Sequence, residues 1–399
     1  PPDRVMQAVL VALVLVTCIR PGQCLHTHAI AHRKNLTVRS SSHCCLTLFQ
    51  LHYESRGEWV NRNQTQEELQ WDARYRHCTL HISMSKHQCP NATVLRTRQW
   101  NWEGSPSLPS LMPQQKNSIL GSWMDGKTLT FWGDSVTAQL FQSFVCSFYA
   151  AGANVTRESL KSIPTTKAPP SNDTQLSHPP RISPTKAFRI EWPTTNGTAT
   201  VRVVEAICPF LLLNTGEVHV FTPKNDTLCD PLPSILLQDW HTTHLIANIA
   251  YWFRGPKDSG FALSSAFRAL EQFFLSHPTI PPPHFLWRGI SSKHYYRVDW
   301  TVTNQSGCDQ FLQPNFHLQP SKLLYYDWMK SMNAAAIDIL IKESEHGVFP
   351  RMDFFDVQYF DRYRGDAHMG GRDCTHYCGP AVPSVWVRWL VQLLYETQR

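Results

Sequence analysis

The segment around residue 130 most constrains how this chain can fold. Residues 127–132, KTLTFW, are β-branched and aromatic and run directly into Gly133-Asp134-Ser135. Such a segment predicts a buried strand, and the glycine allows the tight turn that follows it. Apolar residues then recur at helical spacing between Val136 and Tyr149. Together these residues predict a strand, a tight turn and a helix.

The rest of the chain alternates between strands and helices in the same way. We predict a hairpin on either side of residues 195–197, with further extended segments at 245–252, 285–288 and 354–360. Helical spacing predicts helices at 262–276, 334–342 and 383–397. Because strands that alternate with helices usually form parallel sheets, the pattern predicts an α/β fold with a mostly parallel central sheet.

The N-terminal segments differ in composition from the rest of the chain. Residues 9–19, VLVALVLVTCI, are apolar but shorter than the ~20 residues that span a bilayer, and this length is typical of a signal-peptide core. We predict a cleaved signal peptide at 1–24, with a short type II signal anchor as the alternative. Residues 25–115 predict an irregular, cysteine-rich region tied by disulfides. The main domain is predicted at 116–399, with an exposed Pro/Thr/Ser-rich loop at 163–186.

The cysteines and glycosylation sequons indicate an oxidising compartment. The chain has 12 cysteines, an even number that favours disulfides in a secretory-pathway protein. Its N-x-S/T sequons point the same way and begin at Asn35, Asn63, Asn91, Asn154, Asn172, Asn196, Asn225 and Asn304. The net charge of +6 is scattered and forms no long basic run, so we predict no nucleic-acid partner.

Two short motifs carry the candidate chemistry. A serine at a strand-to-helix turn exposes its hydroxyl beside backbone N–H groups, which suits a nucleophile whose attack creates an oxyanion. Near the C-terminus Asp373 precedes His376 by three residues, so its carboxylate can orient the imidazole and stabilise the imidazolium. Taken alone, a Gly-Asp-Ser sequence is more often a simple turn. An Asp-x-x-His sequence is more often a surface aspartate beside a partly buried histidine. In combination they predict a triad of Ser135, His376 and Asp373.

A metal centre near the C-terminus is the competing interpretation of these residues. The zinc-ligand types there are Asp366, His368, Asp373, Cys374, His376 and Cys378. Oxidised cysteines cannot act as thiolate ligands, so we predict no metal. The disulfide candidates are Cys146, Cys308, Cys374 and Cys378, and we favour a split of Cys374 and Cys378 between two bridges.

Several strings resemble the trichome-birefringence-like and wider PC-esterase family, within the SGNH/GDSL superfamily. They are WMDGKTLTFWGDSVTAQ (123–139), LIANIAYWF (245–253), FLWRGISSKHY (285–295), TNQSGC (303–308) and DCTHYCGPAVPSVW (373–386), with weaker N-terminal matches in GEWV (57–60) and RQWNWEGSPSLPSL (98–111). The resemblance covers about residues 45–399, apart from a diverged loop at 160–240. It implies an SGNH-hydrolase-like three-layer sandwich with a cysteine-rich N-terminal region.

The resemblance also implies roles for individual residues. It makes Ser135 the nucleophile, His376 the base and Asp373 the carboxylate that orients it. It gives oxyanion or substrate binding to Gly133, Asp134, Asn248 and Arg288. The chain departs from the family pattern after the serine, where Thr137 and Ala138 replace Arg and Asn, and after Asn248, where Ile249-Ala250-Tyr251 replace Thr-Gly-His. The structural alternatives are a buried amide for Asn248 and an ion pair for Arg288.

The activity that the resemblance implies is transfer of an O-acyl group, specifically an O-acetyl group, to polysaccharide or glycan hydroxyls. The acyl donor would be acetyl-CoA or another acetyl carrier, with no other cofactor, and the compartment would be the Golgi lumen. With water as the acceptor, the same triad would make a secreted carbohydrate esterase. An inactive glycan-binding protein on the same scaffold is the third hypothesis.

Overall fold

A computed structural model of the chain describes part of its residues. They are 18–20, 23–24, 58–61, 63–81, 100–103, 111, 122–158, 186–194, 197–207, 241–248, 255–294, 326–345, 347–362, 364–370 and 373–397. Residues 1–45 and 46–399 form separate compact units. In the first, β1 (Cys18–Arg20) pairs antiparallel with β2 (Gln23–Cys24). No helix within the described ranges has the length and apolar character needed to cross a membrane.

The region predicted to be irregular contains a strand pair and a helix. β3 (Glu58–Asn61) pairs antiparallel with β4 (Trp100–Glu103), and α1 spans Gln66–His81. A capping box starts this helix, since the Glu68 N–H donates to Thr65 Oγ1 at 3.2 Å and the Thr65 N–H donates to the Glu68 carboxylate at 2.8 Å. The structure therefore differs from the irregular region that was expected. The Thr-x-x-Glu sequence starts a helix, but the apolar stripe of α1 is too narrow to give a clear helical periodicity.

A seven-stranded sheet forms the centre of the larger unit. Its strands are β5 (Lys127–Gly133), β6 (Asn154–Glu158), β7 (Lys186–Thr194), β8 (Gly197–Ile207), β9 (His244–Asn248), β10 (His284–Arg288) and β11 (Met352–Phe355). The order is β11-β10-β9-β5-β8-β7-β6. Neighbours from β11 to β8 run parallel, whereas β8 with β7 and β7 with β6 are antiparallel. The predicted mostly parallel sheet and the hairpin are confirmed.

Helices cover both faces of this sheet. They are α2 (Ser135–Ala150), α3 (Pro256–Ser276), α4 (Tyr326–Ser344), the short α5 (Gln358–Asp361) and α6 (Ala381–Glu396). Successive side chains of a strand point to opposite faces, so Phe131 packs with α2 and α6 whereas Trp132 packs with α3 and α4. The sheet thus lies between two apolar cores, and side chains at the ends of its strands are held in place by this packing.

The segment after β11 differs from the extended conformation predicted for 354–360. The strand ends at Phe355 and the chain turns into α5, where the Asp356 carboxylate accepts from the Tyr359 N–H at 3.4 Å. Phe360 packs against Trp389 of α6, with ring centroids 5.9 Å apart. The local aspartate turn and this contact outweigh the β-propensity of the aromatic run. Next, β12 (His368–Gly370) pairs antiparallel with β13 (Asp373–Tyr377).

Candidate active site

The turn between β5 and α2 presents the candidate nucleophile. Asp134 is the N-cap of α2, and its Oδ1 accepts from the N–H groups of Val136 and Thr137 at 3.0 Å each. This cap engages the second and third N–H groups of the helix. Ser135 is the first residue of the helix and is partly exposed. Its hydroxyl and its N–H therefore lie at the positive end of the helix dipole.

The turn is pressed against the end of β9. The Asp134 N–H donates to the Asn248 carbonyl oxygen at 3.1 Å, and Thr137 Oγ1 donates to the same oxygen at 3.2 Å. Gly133 has φ +153°, and a Cβ built there would lie 1.9 Å from that oxygen. Only glycine allows the two strand ends to come this close, so the position of Ser135 depends on this approach.

The candidate base and acid come from β13. His376 Nε2 lies 2.8 Å from Ser135 Oγ, and His376 Nδ1 lies 2.8 Å from Asp373 Oδ2. The other carboxylate oxygen of Asp373 accepts from the N–H groups of Thr375 and His376, at 3.1 and 3.0 Å. The structure thus brings the three predicted triad residues into one hydrogen-bonded chain. Such a chain lets an imidazole accept a proton from the serine while a carboxylate supports the resulting charge.

The electrostatics of Asp373 suit an ionised carboxylate. Its partial burial acts to raise its pKa, but the hydrogen bond and charge of His376, with the two N–H donors, hold that pKa well below its ordinary value. The side chain of His376 is 15% exposed and that of Asp373 is 34% exposed. The imidazole is therefore shielded from most solvent, whereas the carboxylate that it contacts is partly exposed to solvent.

Gln139 joins the nucleophile helix to the strand that carries the base. It is buried in α2, one turn after Ser135, and its Nε2 donates to the Tyr377 carbonyl oxygen at 2.5 Å. The Tyr377 N–H donates back to Gln139 Oε1 at 3.1 Å. The sequence showed only that Gln139 matches the family string. No local pattern reveals a bond between residues 238 positions apart, so this positioning role was missed.

Asn248 and Arg288 lie beneath the turn and are fully buried. The Asn248 side-chain amide donates to the Arg288 carbonyl oxygen. The Arg288 guanidinium donates to Asp134 Oδ1 at 3.2 Å, and it also bonds Thr137 Oγ1 and the Gly289 carbonyl oxygen. These are the contacts of the structural alternatives, a buried amide and an internal ion pair. The substrate-binding roles implied by the resemblance stay predictions.

Three of the candidate cysteines form disulfides. Cys78 of α1 is bonded to Cys146 of α2, and Tyr75 donates to Ser143 Oγ at 2.9 Å along the same interface. Cys146, one of the disulfide candidates, thus has Cys78 as its partner, which was not among the candidates. The other described candidates, Cys374 and Cys378, are disulfide-bonded as well. The fourth, Cys308, lies outside the described residues.

The described sequons are on the surface. Asn63 and Asn154 are exposed, and the Asn154 amide donates to Glu191 at 3.1 Å. The remaining sequon asparagines lie outside the described residues, as does the predicted loop before Lys186.

Within the described ranges, no group of three or more His, Cys, Asp or Glu residues is placed to hold a metal ion.

The fold and the site define an α/β protein with a hydrogen-bonded serine, histidine and aspartate at the carboxyl edge of a mostly parallel sheet. The chain is similar to Protein trichome birefringence-like 12 of Arabidopsis thaliana, with 29% identity over 124 residues. The match covers 27% of this chain and only 28% of the length of that relative. This partial similarity gives weak support to the trichome-birefringence-like family. No model of a known protein family matches the chain.

Proposed function

We propose that this protein is an SGNH-type O-acyltransferase that places acyl groups, specifically acetyl, on polysaccharide or glycan hydroxyls. The observation that carries the proposal is the pair of 2.8 Å contacts linking Ser135 to His376 and His376 to Asp373. The partial similarity to a trichome-birefringence-like protein supports an enzyme of the acyltransferase or esterase type. The helices on both faces of the sheet are those expected of an SGNH sandwich.

In the first half of the proposed reaction an acyl donor acylates Ser135. His376 Nε2 takes the hydroxyl proton as Ser135 Oγ attacks the carbonyl carbon of the donor. The tetrahedral intermediate then collapses, the bond to the leaving group breaks, and that group receives the proton from His376. The ionised Asp373 stabilises the imidazolium between these two steps.

The oxyanion of that intermediate needs hydrogen-bond donors. The Asp134 N–H is used by the Asn248 carbonyl, and one of the two N–H groups of the Asn248 amide donates to the Arg288 carbonyl. We therefore assign the first donor to the Ser135 N–H, which lies at the helix N-terminus and outside the cap made by Asp134. In this assignment Arg288 holds the turn, and the further donor is the Asn248 amide that the family resemblance implies.

In the second half a sugar hydroxyl accepts the acyl group. His376 takes its proton, the sugar oxygen attacks the acyl carbon, and collapse returns the proton to Ser135 Oγ. Transfer requires that sugar excludes water from the acyl-enzyme, since water in the same place gives hydrolysis. The donor would be acetyl-CoA or another acetyl carrier. Bonded cysteines agree with a secretory-pathway compartment, and we propose the Golgi lumen.

The test has a labelling arm and a product arm. A fluorophosphonate probe should label the purified wild-type chain but not Ser135→Ala, while Ser276→Ala, altered at the far end of α3, is labelled normally. With an acetyl donor and a glycan, acetyl bound to glycan supports transfer, and free acetate alone identifies an esterase. Equal labelling of Ser135→Ala and wild type would remove the basis for both enzyme assignments and leave a glycan-binding protein.

A further inference from the structure

Two buried histidines lie directly behind the strand that carries His376. His294 follows β10 and His368 begins β12, and each is only 2% exposed. His294 Nδ1 lies 2.6 Å from His368 Nε2, so the two rings share a hydrogen bond. The pair is separate from the triad and touches it through the main chain.

Each end of the pair meets a main-chain carbonyl oxygen. His368 Nδ1 lies 2.9 Å from the His376 carbonyl oxygen, and His294 Nε2 lies 3.1 Å from the Arg362 carbonyl oxygen. A carbonyl oxygen can only accept a hydrogen bond, so both outer nitrogens must carry protons. The inner contact needs one proton more. Three protons on two imidazoles give the pair one positive charge, because a neutral pair holds only two.

We infer that His294 and His368 form a cationic pair that holds the main chain of His376 in place and so positions the candidate base. The positioning role rests on the proposed function, whereas the proton count rests on the carbonyl contacts alone. A neutral pair would set a nitrogen lone pair against a carbonyl oxygen or against the other ring, inside the protein, where unmet polar groups are costly.

The groups around the pair decide which ring carries the charge. Burial and the charge of His294 lower the pKa of His368 well below its ordinary value. The hydrogen bond to the His376 carbonyl and the charge of Asp373 act in the opposite direction but are smaller. The Tyr377 ring stacks on His368 with centroids 4.1 Å apart. The lowered pKa of His368 and the proton count together place the extra proton, and with it the charge, on His294.

The chain around His294 binds the same strand at further points. The His294 N–H donates to the Cys374 carbonyl oxygen at 3.3 Å, and the Tyr377 hydroxyl donates to the Ser292 carbonyl oxygen at 2.8 Å. The side chain of Arg362, whose carbonyl ends the pair, lies over the Tyr359 ring instead. The pair thus adds to a set of contacts along β13.

The proton count is tested by NMR of the intact protein labelled with ¹⁵N-histidine, with the two rings assigned through His294→Gln and His368→Asn. At pH about 8, above the ordinary histidine pKa of about 6.5, we expect both ring nitrogens of His294 to carry protons. A His294 ring with one unprotonated nitrogen at that pH would overturn the inference.

The positioning role is tested by the rate at which a fluorophosphonate labels Ser135. His368→Phe removes the donor to the His376 carbonyl and should slow labelling by roughly ten- to a hundredfold, as expected for a small misplacement of the base. His368→Asn keeps a donor near the Nδ1 position and should recover most of that rate. His277→Asn, altered at the surface end of α3, should label as wild type.

The outcomes separate the two claims. Wild-type labelling rates in a folded His368→Phe protein, or equal losses in His368→Phe and His368→Asn, would overturn the positioning role. A wild-type protein that the probe does not label overturns the proposed function, and the positioning role with it. In that case the ring spectra still decide whether the pair is cationic.

Discussion

Replacing Gly133 with alanine should displace the nucleophile turn. The new Cβ would lie 1.9 Å from the Asn248 carbonyl oxygen and 2.8 Å from Thr137 Oγ1. Reaching a contact of about 3 Å requires β5 and β9 to separate by about 1 Å, and the Asp134 N–H bond to Asn248 would lengthen with them. A displacement of that size costs about a hundredfold in rate when it misplaces a reacting group. We also expect about 1–3 kcal/mol of destabilisation from the overpacking.

The assay measures fluorophosphonate labelling of Ser135 together with urea unfolding. Gly126→Ala is the matched control, because Gly126 also has positive φ, +68°, but a Cβ there would have no atom within 4 Å. The control should lose about 1 kcal/mol to backbone strain and keep its labelling rate. If Gly133→Ala labels at the wild-type rate, the close approach of the strand ends does not position Ser135.

Three further substitutions test the surroundings of the site. Burial raises the pKa of Glu205 to about 7 from 4.5, so this carboxyl lowers the stability of the folded protein by roughly 3 kcal/mol as pH rises through that interval. Glu205→Gln lacks this contribution, so its free energy of unfolding in urea should rise relative to that of wild type across the same interval, and a constant difference between the two proteins would contradict this. Arg288→Met removes the ion-pair partner of the buried Asp134 carboxylate and should cost about 3–5 kcal/mol in the same assay. A cost near zero would show that the ion pair does not stabilise the fold. Gln139→Met leaves the buried Tyr377 N–H and carbonyl without their side-chain partner, and we expect a loss of stability of about 1–3 kcal/mol for each group. Labelling of Ser135 should also be slower, and unchanged labelling would show that Gln139 does not position the base.

Elements with a strong local pattern could be predicted from the sequence. The β5–α2 turn, the β7–β8 hairpin and the helices near both α4 and α6 have regular periodicity, and the structure contains each of them. α1 was missed because, among its described side chains, the apolar stripe consists of Trp71, Tyr75 and Cys78. α5 was missed because it follows a two-residue turn after Phe355 and, at four residues, is too short to show a hydrophobic periodicity. Short elements that depend on tertiary contacts cannot be recognised from spacing.

The candidate site divides in the same way. Ser135, His376 and Asp373 were predictable because the two motifs in combination favour one arrangement, and the structure places the three side chains in one hydrogen-bonded chain. The side chains that hold them in place have no such signature. A buried glutamine bonded to a distant main chain, or a guanidinium beneath an N-cap, becomes visible only once the fold brings the partners together.

The two halves of the site differ in how firmly they are held. The serine turn sits on the ends of central strands, where the Asn248 carbonyl, the helix cap and a buried guanidinium all act on it. His376 comes from a two-stranded element more than two hundred residues later, and its alignment depends on the main-chain bonds made by Gln139 and His368. Since a proton can transfer only while the 2.8 Å contact persists, we expect these bonds, together with the other contacts along β13, to set how closely His376 stays aligned with Ser135.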